Sequence, residues 1–368
     1  MKSTQLAQIS TSHDYTGATS NPIYLATAFQ HEAVGHSTGF DYARTKNPTR
    51  SHFEDAFARL EGGIASFATS SGMASIQLIL NLFKPHDEIL VSFDLYGGSY
   101  RLFDFYEQQY QLKFTYIDFN DLERVRASIN EHTRALFIEP ISNPQMQSVA
   151  LEPIYEIAQE FRLLTIIDNT FLTPYLSTPL EDGADIVLHS ATKYISGHND
   201  VLAGVVTVKD ETLAVQLGQF HNMIGATLSP FDSYLLVRGL KTLHLRMDRS
   251  IDNAKRLSQV LNENEAIDDV LYAGTTGMLS VRLNKAYNTR EFLKHLEVCI
   301  FAESLGGTET FITFPYTQTH IDMPDEEKEK RGINEQLIRI SVGIEDFEDI
   351  NADILQALTK SKAVEVIV

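Results

Sequence analysis

Short apolar runs alternate with amphipathic segments over much of the chain. Within residues 51–61, Phe53, Ala56, Phe57 and Leu60 recur at helical spacing and predict an amphipathic helix. Strands are predicted where short runs are rich in apolar residues, at 64–70, 88–93, 113–118, 135–140, 163–169, 184–190 and 203–208. Because helical segments separate strands that are nearly all apolar, we predict a mostly parallel sheet covered on both faces.

The pattern changes near residue 230. A long helical pattern runs from Pro230 to about residue 263 and is expected to link two domains. Strand patterns follow at MLSVRL, CIFAES, TFITF and QLIRISVG, and helical patterns at TREFLKHLE and EDINADILQALTK. We therefore expect an α/β protein with an irregular N-terminal arm (1–48), a large domain (49–243) and a smaller α+β domain (244–368).

Composition and charge narrow the classes of function. The 368 residues suit two domains, and 43% hydrophobic with 21% charged residues is typical of a soluble globular protein. The 49 acidic residues exceed the 30 basic ones, and the net charge of −19 disfavours nucleic acid and anionic membranes as partners. No run of about eighteen apolar residues predicts a membrane span. The polar start lacks the core of a signal peptide, and the single Cys299 excludes an internal disulfide. A cytoplasmic protein is expected.

Several common sites are disfavoured by the motifs. Neither G-x-G-x-x-G nor the P-loop pattern G-x-x-x-x-G-K-[ST] occurs. His31 and His36 are five residues apart with Gly35 between them, which does not fit a zinc-binding helix. We expect no metal site.

The most informative segment is DIVLHSATKYISGHND, residues 185–200. Lys193 follows the end of a predicted strand, where an α/β sheet opens its ligand crevice. Partial desolvation there would make the lysine amine nucleophilic, and the hydroxyls of Ser190 and Thr192 could hold a phosphate. Taken alone, the same pattern is more often produced by an ordinary surface lysine.

Other segments fit the same chemistry. Asp168 ends a predicted strand and would suit the protonated nitrogen of a pyridine ring, although strand-end carboxylates are often helix caps or turn residues. Gly72 and Met73 would open a helix whose N–H groups bind phosphate, or simply a strand-to-helix turn. Tyr96 could stack on a ring or fill the core. Arg339, inside an apolar strand, needs a carboxylate from a substrate or from an internal salt bridge.

Together these segments resemble the Cys/Met-metabolism family of pyridoxal-phosphate enzymes, which includes cystathionine γ-synthases, cystathionine lyases and O-acylhomoserine sulfhydrylases. The resemblance runs from residue 40 to 346 in family order, through YARTKNPTR, SSGMAS, DLYGGSYRLFD, EPISNP, IDNTF, HSATKYISGH, FDSYLLVRGLKTL, AESLGG and IRISVGIED. It implies the type I aminotransferase-like fold and pyridoxal 5'-phosphate as cofactor.

The resemblance also implies roles for the cofactor residues. Lys193 should form the Schiff base and shuttle protons, Tyr96 should stack on the ring and assist proton transfer, and Asp168 should pair with the ring nitrogen. The phosphate should be bound by Gly72, Met73, Ser190 and Thr192, together with Tyr42 and Arg44 of the neighbouring subunit. Sites shared in this way imply a homodimer, which this family usually pairs into a homotetramer.

The substrate residues implied by the resemblance are Arg339 for the α-carboxylate, with Asn143 and Ser304 beside it. Glu303 could meet the distal amine of cysteine or cystathionine, or be a surface acid. Arg101 could meet a distal carboxylate or form a structural ion pair.

These features favour γ-replacement, in which an O-acylhomoserine and L-cysteine give L-cystathionine, with sulfide as a second acceptor that would give homocysteine. A cystathionine γ- or β-lyase is the alternative. A cofactor-free scaffold is disfavoured by intact Lys193 and Asp168. The pattern leaves open whether the donor carries an acetyl or a succinyl group.

Overall fold

The chain is described from a computed structural model, which describes residues 2–9, 16–321 and 323–362. It divides into two compact units. The first comprises Met1–Val91, Tyr106–Ile138 and Ala150–His244, and the second comprises Ser92–Phe105, Glu139–Val149 and Leu245–Val368. Two segments of the predicted large domain therefore group with the C-terminal unit, and these segments carry Tyr96 and Asn143.

The first unit is built on a seven-stranded sheet. Its strands are β1 (Ala65–Thr69), β2 (Glu88–Ser92), β3 (Lys113–Ile117), β4 (Thr133–Ile138), β5 (Leu164–Asp168), β6 (Ile186–His189) and β7 (Gly204–Val208). They lie in the order β1-β7-β6-β5-β4-β2-β3. Strands β2, β4, β5 and β6 pair in parallel, whereas β7 runs antiparallel to both of its neighbours. The mostly parallel α/β sheet predicted from the apolar runs is confirmed.

Helices precede and follow these strands along the chain. They are α1 (Lys2–Ala7), α2 (Pro48–Glu61), α3 (Gly72–Leu80), α4 (Gly97–Tyr110), α5 (Leu122–Ser128), α6 (Glu152–Phe161), α7 (Thr173–Leu176), α8 (Pro179–Asp182), α9 (Glu211–Ile224) and α10 (Pro230–Leu240). Local sequence sets both ends of α2. The Asn47 side chain accepts the first N–H groups, Pro48 occupies the first turn, and Gly62 ends the helix with a left-handed φ of 74°. In the described ranges, the helices are too short or too polar to cross a membrane.

The predicted long helix is two helices in the structure. Helix α10 ends at Leu240, and α11 (Leu243–Asn262) begins after a turn. Leu240 and Leu243 are both fully buried and lie three residues apart, so the helical spacing of apolar positions continues across the turn. Periodicity alone therefore could not reveal the break.

The second unit contains a five-stranded sheet. Its strands are β8 (Ile267–Leu271), β9 (Met278–Leu283), β10 (Ile300–Phe301), β11 (Phe311–Thr313) and β12 (Leu337–Ser341), in the order β10-β11-β12-β9-β8. Its helices after α11 are α12 (Thr289–Lys294), α13 (Asp325–Lys330) and α14 (Phe347–Ser361). The sequence missed β8 because this edge strand exposes Asp268 and Asp269, so its apolar alternation is weak.

Candidate active site

The two predicted phosphate-binding segments meet in the first unit. A Cβ placed on Gly72 would lie 2.8 Å from Cβ of Ser190, so only glycine allows this close approach. Gly72 begins α3, where the Ser71 hydroxyl accepts the N–H of Ala74. The N–H groups of Gly72 and Met73 lie in the first turn, where helix N–H groups have no partner within the helix. Such a helix start beside a serine suits a phosphate.

Lys193 lies on the turn that follows β6. Its own N–H donates to the carbonyl of Ser190 at 3.2 Å, and its carbonyl accepts the N–H of Gly197 at 2.8 Å. Helix α10 packs on the same turn, because a Cβ on Gly239 would lie only 2.5 Å from the carbonyl oxygens of Ile195 and Ser196. The lysine side chain is half-buried. The lysine backbone is thus held from within the turn and the turn itself from an adjacent helix.

Thr192, predicted to bind phosphate, uses its hydroxyl within the chain. Its Oγ1 donates to the carbonyl of Ala203 at 3.1 Å and accepts the N–H of Ala203 at 3.0 Å. Since a hydroxyl carries one proton, this arrangement leaves no proton to donate to a phosphate. The predicted phosphate contact of Thr192 stays a prediction.

Asp168 ends β5 and is paired in register with Leu188 of β6. Burial raises the pKa of its carboxyl group, and hydrogen bonds from the hydroxyl and the N–H of Thr170 oppose that rise, as does the charge of His189. His189 is fully buried, and its Nε2 lies 2.5 Å from Oε1 of buried Glu61. The strand end predicted from sequence therefore holds a carboxylate whose ionisation depends on its neighbours.

Thr170 was not singled out by the sequence patterns. Its Oγ1 donates to Oδ1 of Asp168 at 2.5 Å and accepts the N–H of Ser190 at 2.8 Å. Its own N–H also donates to Oδ1 of Asp168, at 3.1 Å. A threonine two residues after an aspartate is a recognisable turn signal. It does not reveal the second contact, because Ser190 is 20 residues away in the chain.

Tyr42 and Arg44 also belong to the first unit. Tyr42 is 50% exposed, and the Arg44 guanidinium lies 5.6 Å from the centre of its ring. Nη1 of Arg44 donates to the carbonyl and side-chain oxygens of Asn222, at 2.5 and 2.8 Å. Their predicted reach into a neighbouring subunit stays a prediction.

The second unit brings two predicted substrate residues, Asn143 and Ser304, into contact with a third, Arg339. This arginine is only 2% exposed and lies in β12. Its Nη1 donates to Oδ1 of Asn143 at 3.0 Å, and its Nη2 donates to the carbonyl of Ser304 and to Oγ1 of Thr313, both at 3.1 Å. These three acceptors are uncharged, so the contacts orient the guanidinium without neutralising it. Ser304 accepts this hydrogen bond through its backbone carbonyl.

Tyr96 lies in a turn that two glycines make possible. A Cβ on Gly98 would come within 2.4 Å of the Tyr96 ring, and one on Gly97 would lie 2.2 Å from the carbonyl oxygen of Thr319. The N–H of Tyr96 donates to Oε1 of buried Glu139 at 3.0 Å. Glu139 was not predicted as a site residue, and its carboxylate fixes the position of the tyrosine backbone.

Glu303 and Arg101 lie close enough to Tyr96 to affect its ionisation. Burial raises the pKa of the tyrosine, and the charge of Glu303 raises it further. The positive charges of Arg101 and Arg339 act in the opposite direction. All of these groups belong to the second unit. The side chains proposed from sequence for the distal end of a substrate thus share one electrostatic environment.

No metal centre accompanies these residues in the part of the chain that the structure describes, where no cluster of three or more His, Cys, Asp or Glu side chains could hold an ion. In the segment considered for zinc, Nε2 of His31 lies 2.9 Å from Asp41.

The residues fit pyridoxal 5'-phosphate. The start of α3 beside Ser190 suits its phosphate, Asp168 suits its ring nitrogen, and Lys193 can attach it covalently. With a mostly parallel sheet and a smaller second sheet domain, these features define a pyridoxal-phosphate enzyme of the type I aminotransferase-like fold.

Comparison with known proteins leads to the same class. The family model described as Cys/Met metabolism PLP-dependent enzyme matches residues 3–359, and the chain belongs to this family. It is 55% identical over 360 residues to the cystathionine gamma-synthase/O-acetylhomoserine (thiol)-lyase of Bacillus subtilis (strain 168), covering 98% of this chain and 96% of that protein. It is 50% identical over 352 residues to the cystathionine gamma-synthase of Haemophilus influenzae, covering 95% of each. The cystathionine gamma-lyase of Lactobacillus plantarum, solved with L-serine, superposes with a TM-score of 0.95 at 39% identity and covers 98% of this chain and 99% of that one.

The resemblance inferred from the motifs, the fold class and the cofactor are therefore confirmed. The chain is a pyridoxal-phosphate-dependent enzyme of amino-acid metabolism.

Proposed function

We propose that this enzyme is a cystathionine γ-synthase. It joins an O-acylhomoserine and L-cysteine by γ-replacement. The sulfur of cysteine forms a bond to Cγ of the homoserine moiety, the bond from Cγ to the acyl oxygen breaks, and L-cystathionine and a carboxylic acid are released. The observation that carries this proposal is the 55% and 50% identity to two proteins named for cystathionine γ-synthase activity, over nearly the whole chain. The name of the first relative also supports sulfide as a second acceptor.

The first unit is proposed to hold the cofactor and move protons. Bound pyridoxal 5'-phosphate withdraws electrons from the substrate carbons. The amine of Lys193 attaches the cofactor and then carries protons to and from the substrate carbons. Asp168 accepts the hydrogen of the ring nitrogen. Gly72, Met73 and Ser190 are proposed to bind the phosphate. Thr192 is proposed to join them when its hydroxyl releases the carbonyl of Ala203 on cofactor binding.

The second unit is proposed to orient the amino-acid substrate. Arg339 presents a planar fork of donors that suits the α-carboxylate. Asn143 holds this guanidinium through its side-chain oxygen, and Ser304 through its carbonyl. Tyr96 is proposed to stack on the cofactor ring and to assist proton transfer.

Glu303 and Arg101 are proposed to select the acceptor. L-Cysteine brings an ammonium and a carboxylate to the distal end of the site, whereas sulfide brings neither. A carboxylate and a guanidinium near Tyr96 complement this pair of charges.

A lyase that breaks cystathionine is the second candidate. A cystathionine γ-lyase structure superposes with a TM-score of 0.95, and a cystathionine γ-synthase structure superposes with the same score. Both reactions need the same attachment lysine and carboxylate-binding arginine, so the fold does not separate them.

We also propose a homodimer with shared sites, paired into a homotetramer, in the cytoplasm. Exposed Tyr42 and Arg44 support the sharing. The single Cys299 is buried, and burial raises the pKa of its thiol. A protein that needs no disulfide suits the reducing environment of the cytoplasm.

One comparison tests the reaction. Purified holoenzyme is given O-acetyl- or O-succinylhomoserine with L-cysteine, and separately given cystathionine alone. We expect cystathionine to form faster than 2-oxobutyrate in the first mixture. If cleavage of cystathionine is faster than its synthesis, the lyase assignment replaces this one.

The acceptor role of Glu303 is tested in the same assay. Glu303→Gln removes the charge that complements an ammonium group, and we expect kcat/KM for cysteine to fall about tenfold while that for sulfide changes little. Glu309→Gln, a nearby exposed acid, is the matched control. Equal losses for both acceptors would show that Glu303 does not select between them.

A further inference from the structure

Thr170 connects two residues that come from different strands. Asp168 ends β5, Ser190 follows β6, and the Thr170 hydroxyl forms a hydrogen bond with each. The two contacts are 2.5 and 2.8 Å long, so one side-chain oxygen joins the proposed ring-nitrogen acceptor to the proposed phosphate-binding segment.

Only one assignment of donors and acceptors fits these hydrogen bonds. The amide of Ser190 can only donate, so Oγ1 of Thr170 accepts there. The single hydroxyl proton is then directed at Oδ1 of Asp168, which must be an acceptor. The N–H of Thr170 adds a second donor to the same oxygen. Asp168 is thereby held with Oδ1 occupied by two donors, a state that favours its ionised form.

The other carboxylate oxygen is left for a different partner. Within the described ranges, Oδ2 of Asp168 accepts no hydrogen bond from the protein. The hydrogen of a pyridinium nitrogen is a donor of the matching charge.

We propose that Thr170 is a positioning residue that fixes Asp168 relative to Ser190. The acceptor for the ring nitrogen and the phosphate-binding segment are thereby held at a fixed separation for the cofactor. The proposal rests on the cofactor roles proposed above for Asp168 and Ser190. Thr170 acts through Asp168 and Ser190 and does not need to touch the substrate. The lowering effect of Thr170 on the pKa of Asp168 agrees with this role.

A cofactor analogue distinguishes the contact of Thr170 with Asp168 from its contact with Ser190. Affinities of the apoenzyme are measured by equilibrium dialysis for pyridoxal 5'-phosphate and for 1-deazapyridoxal 5'-phosphate, in which carbon replaces the ring nitrogen. The variants are Thr170→Val, which keeps the shape but removes the hydroxyl, and Thr170→Ser, which keeps the hydroxyl. The unfolding midpoint of each apoenzyme reports on its fold.

We expect Thr170→Val to raise the dissociation constant for pyridoxal 5'-phosphate about tenfold, which corresponds to one charge-assisted hydrogen bond. The increase for the deaza analogue should be at least about threefold smaller, because that analogue has no ring nitrogen to bind Asp168. Thr170→Ser should retain near wild-type affinity for both.

Three results would overturn the proposal. Equal losses for the two cofactors in Thr170→Val would mean that Thr170 acts through Ser190 alone. Unchanged affinity in that variant would mean that the connection has no effect. A Thr170→Ser variant that folds but binds pyridoxal 5'-phosphate as weakly as Thr170→Val would show that the methyl group matters and not the hydroxyl. If Thr170→Val does not fold, Thr170→Ser is compared with the wild type instead: near wild-type affinity for pyridoxal 5'-phosphate supports the proposal, and a folded Thr170→Ser with about tenfold weaker affinity overturns it. All readouts measure cofactor binding, so failure of the γ-replacement assay would leave them intact.

Discussion

Lys193 owes its position to backbone contacts on both sides of it. Its N–H and carbonyl are bound within the turn after β6, so replacing the side chain should leave the turn in place. We expect Lys193→Ala to fold, to lose covalent attachment of pyridoxal 5'-phosphate and to lose several orders of magnitude in turnover, because both nucleophile and proton carrier are gone.

Borohydride reduction followed by peptide mapping checks this assignment. The wild-type protein should carry the pyridoxyl label on the peptide that contains Lys193. Lys255→Ala, at an exposed position of α11, is the matched control and should keep both label and activity. A label on any other lysine would move the attachment site elsewhere.

Helix α3 and the segment after β6 meet through one glycine. Because a Cβ on Gly72 would lie 2.8 Å from Cβ and 3.0 Å from Oγ of Ser190, Gly72→Ala must push the two segments apart. We expect cofactor affinity to fall by about tenfold or more and thermal stability to fall only modestly, since helix propensity rises with the same change.

The matched control is Gly218→Ala in α9, where the nearest atom to the new Cβ is a single Phe67 ring carbon at 3.3 Å. Its cofactor affinity should stay near that of the wild type. Equal affinity losses in the two variants would show that the effect of Gly72→Ala is not specific to the segments proposed to bind the phosphate.

A shared active site makes a prediction for the assembled molecule. Arg44→Ala and Lys193→Ala should each be nearly inactive alone. In a mixed dimer, one of the two sites keeps both residues if Arg44 serves the neighbouring subunit. Co-expression with two tags isolates that dimer, and we expect activity near half that of the wild type. A verified mixed dimer without recovered activity would place Arg44 in the site of its own chain.

Acid stability is a second property of the whole molecule. His221 is buried in α9 with Nε2 against the carbonyl of Ala68, and burial lowers its pKa to about 4. The unfolded chain, with a histidine pKa near 6.5, binds more protons between these values, so the folded state loses stability as pH falls through this window. By pH 4.5 the loss should reach roughly 2–3 kcal/mol.

Urea unfolding of the apoenzyme at pH 7, 6 and 5 checks this, with His221→Gln as the comparison. The glutamine amide can donate to Ala68 but does not titrate, so the advantage of the wild type should shrink as the pH falls. Glu54 is largely buried, and burial raises its pKa to about 7, so it changes stability in the opposite direction, but both proteins carry it. A constant difference between the two proteins would show that His221 has the same pKa in the folded and the unfolded state.

The sequence by itself determined the α/β class and the family, and it singled out the segment around Lys193 as the candidate attachment site. The class and this candidate follow from local signals, because apolar strands, helix starts and a lysine after a strand are each read within about fifteen residues. The family follows from the resemblance of several motifs in order along the chain. Arg339 was also predicted, since a charged side chain inside an apolar strand requires a specific partner.

Only the tertiary structure decided which residues complete these sites. Gly72 lies against Ser190, and the Thr170 hydroxyl reaches that same residue from the turn after β5. Glu139 supports Tyr96 from 43 positions away, and the break after Leu240 leaves the apolar spacing unchanged. Periodicity reports which face of an element is buried, whereas these contacts depend on where separate elements are brought together by packing.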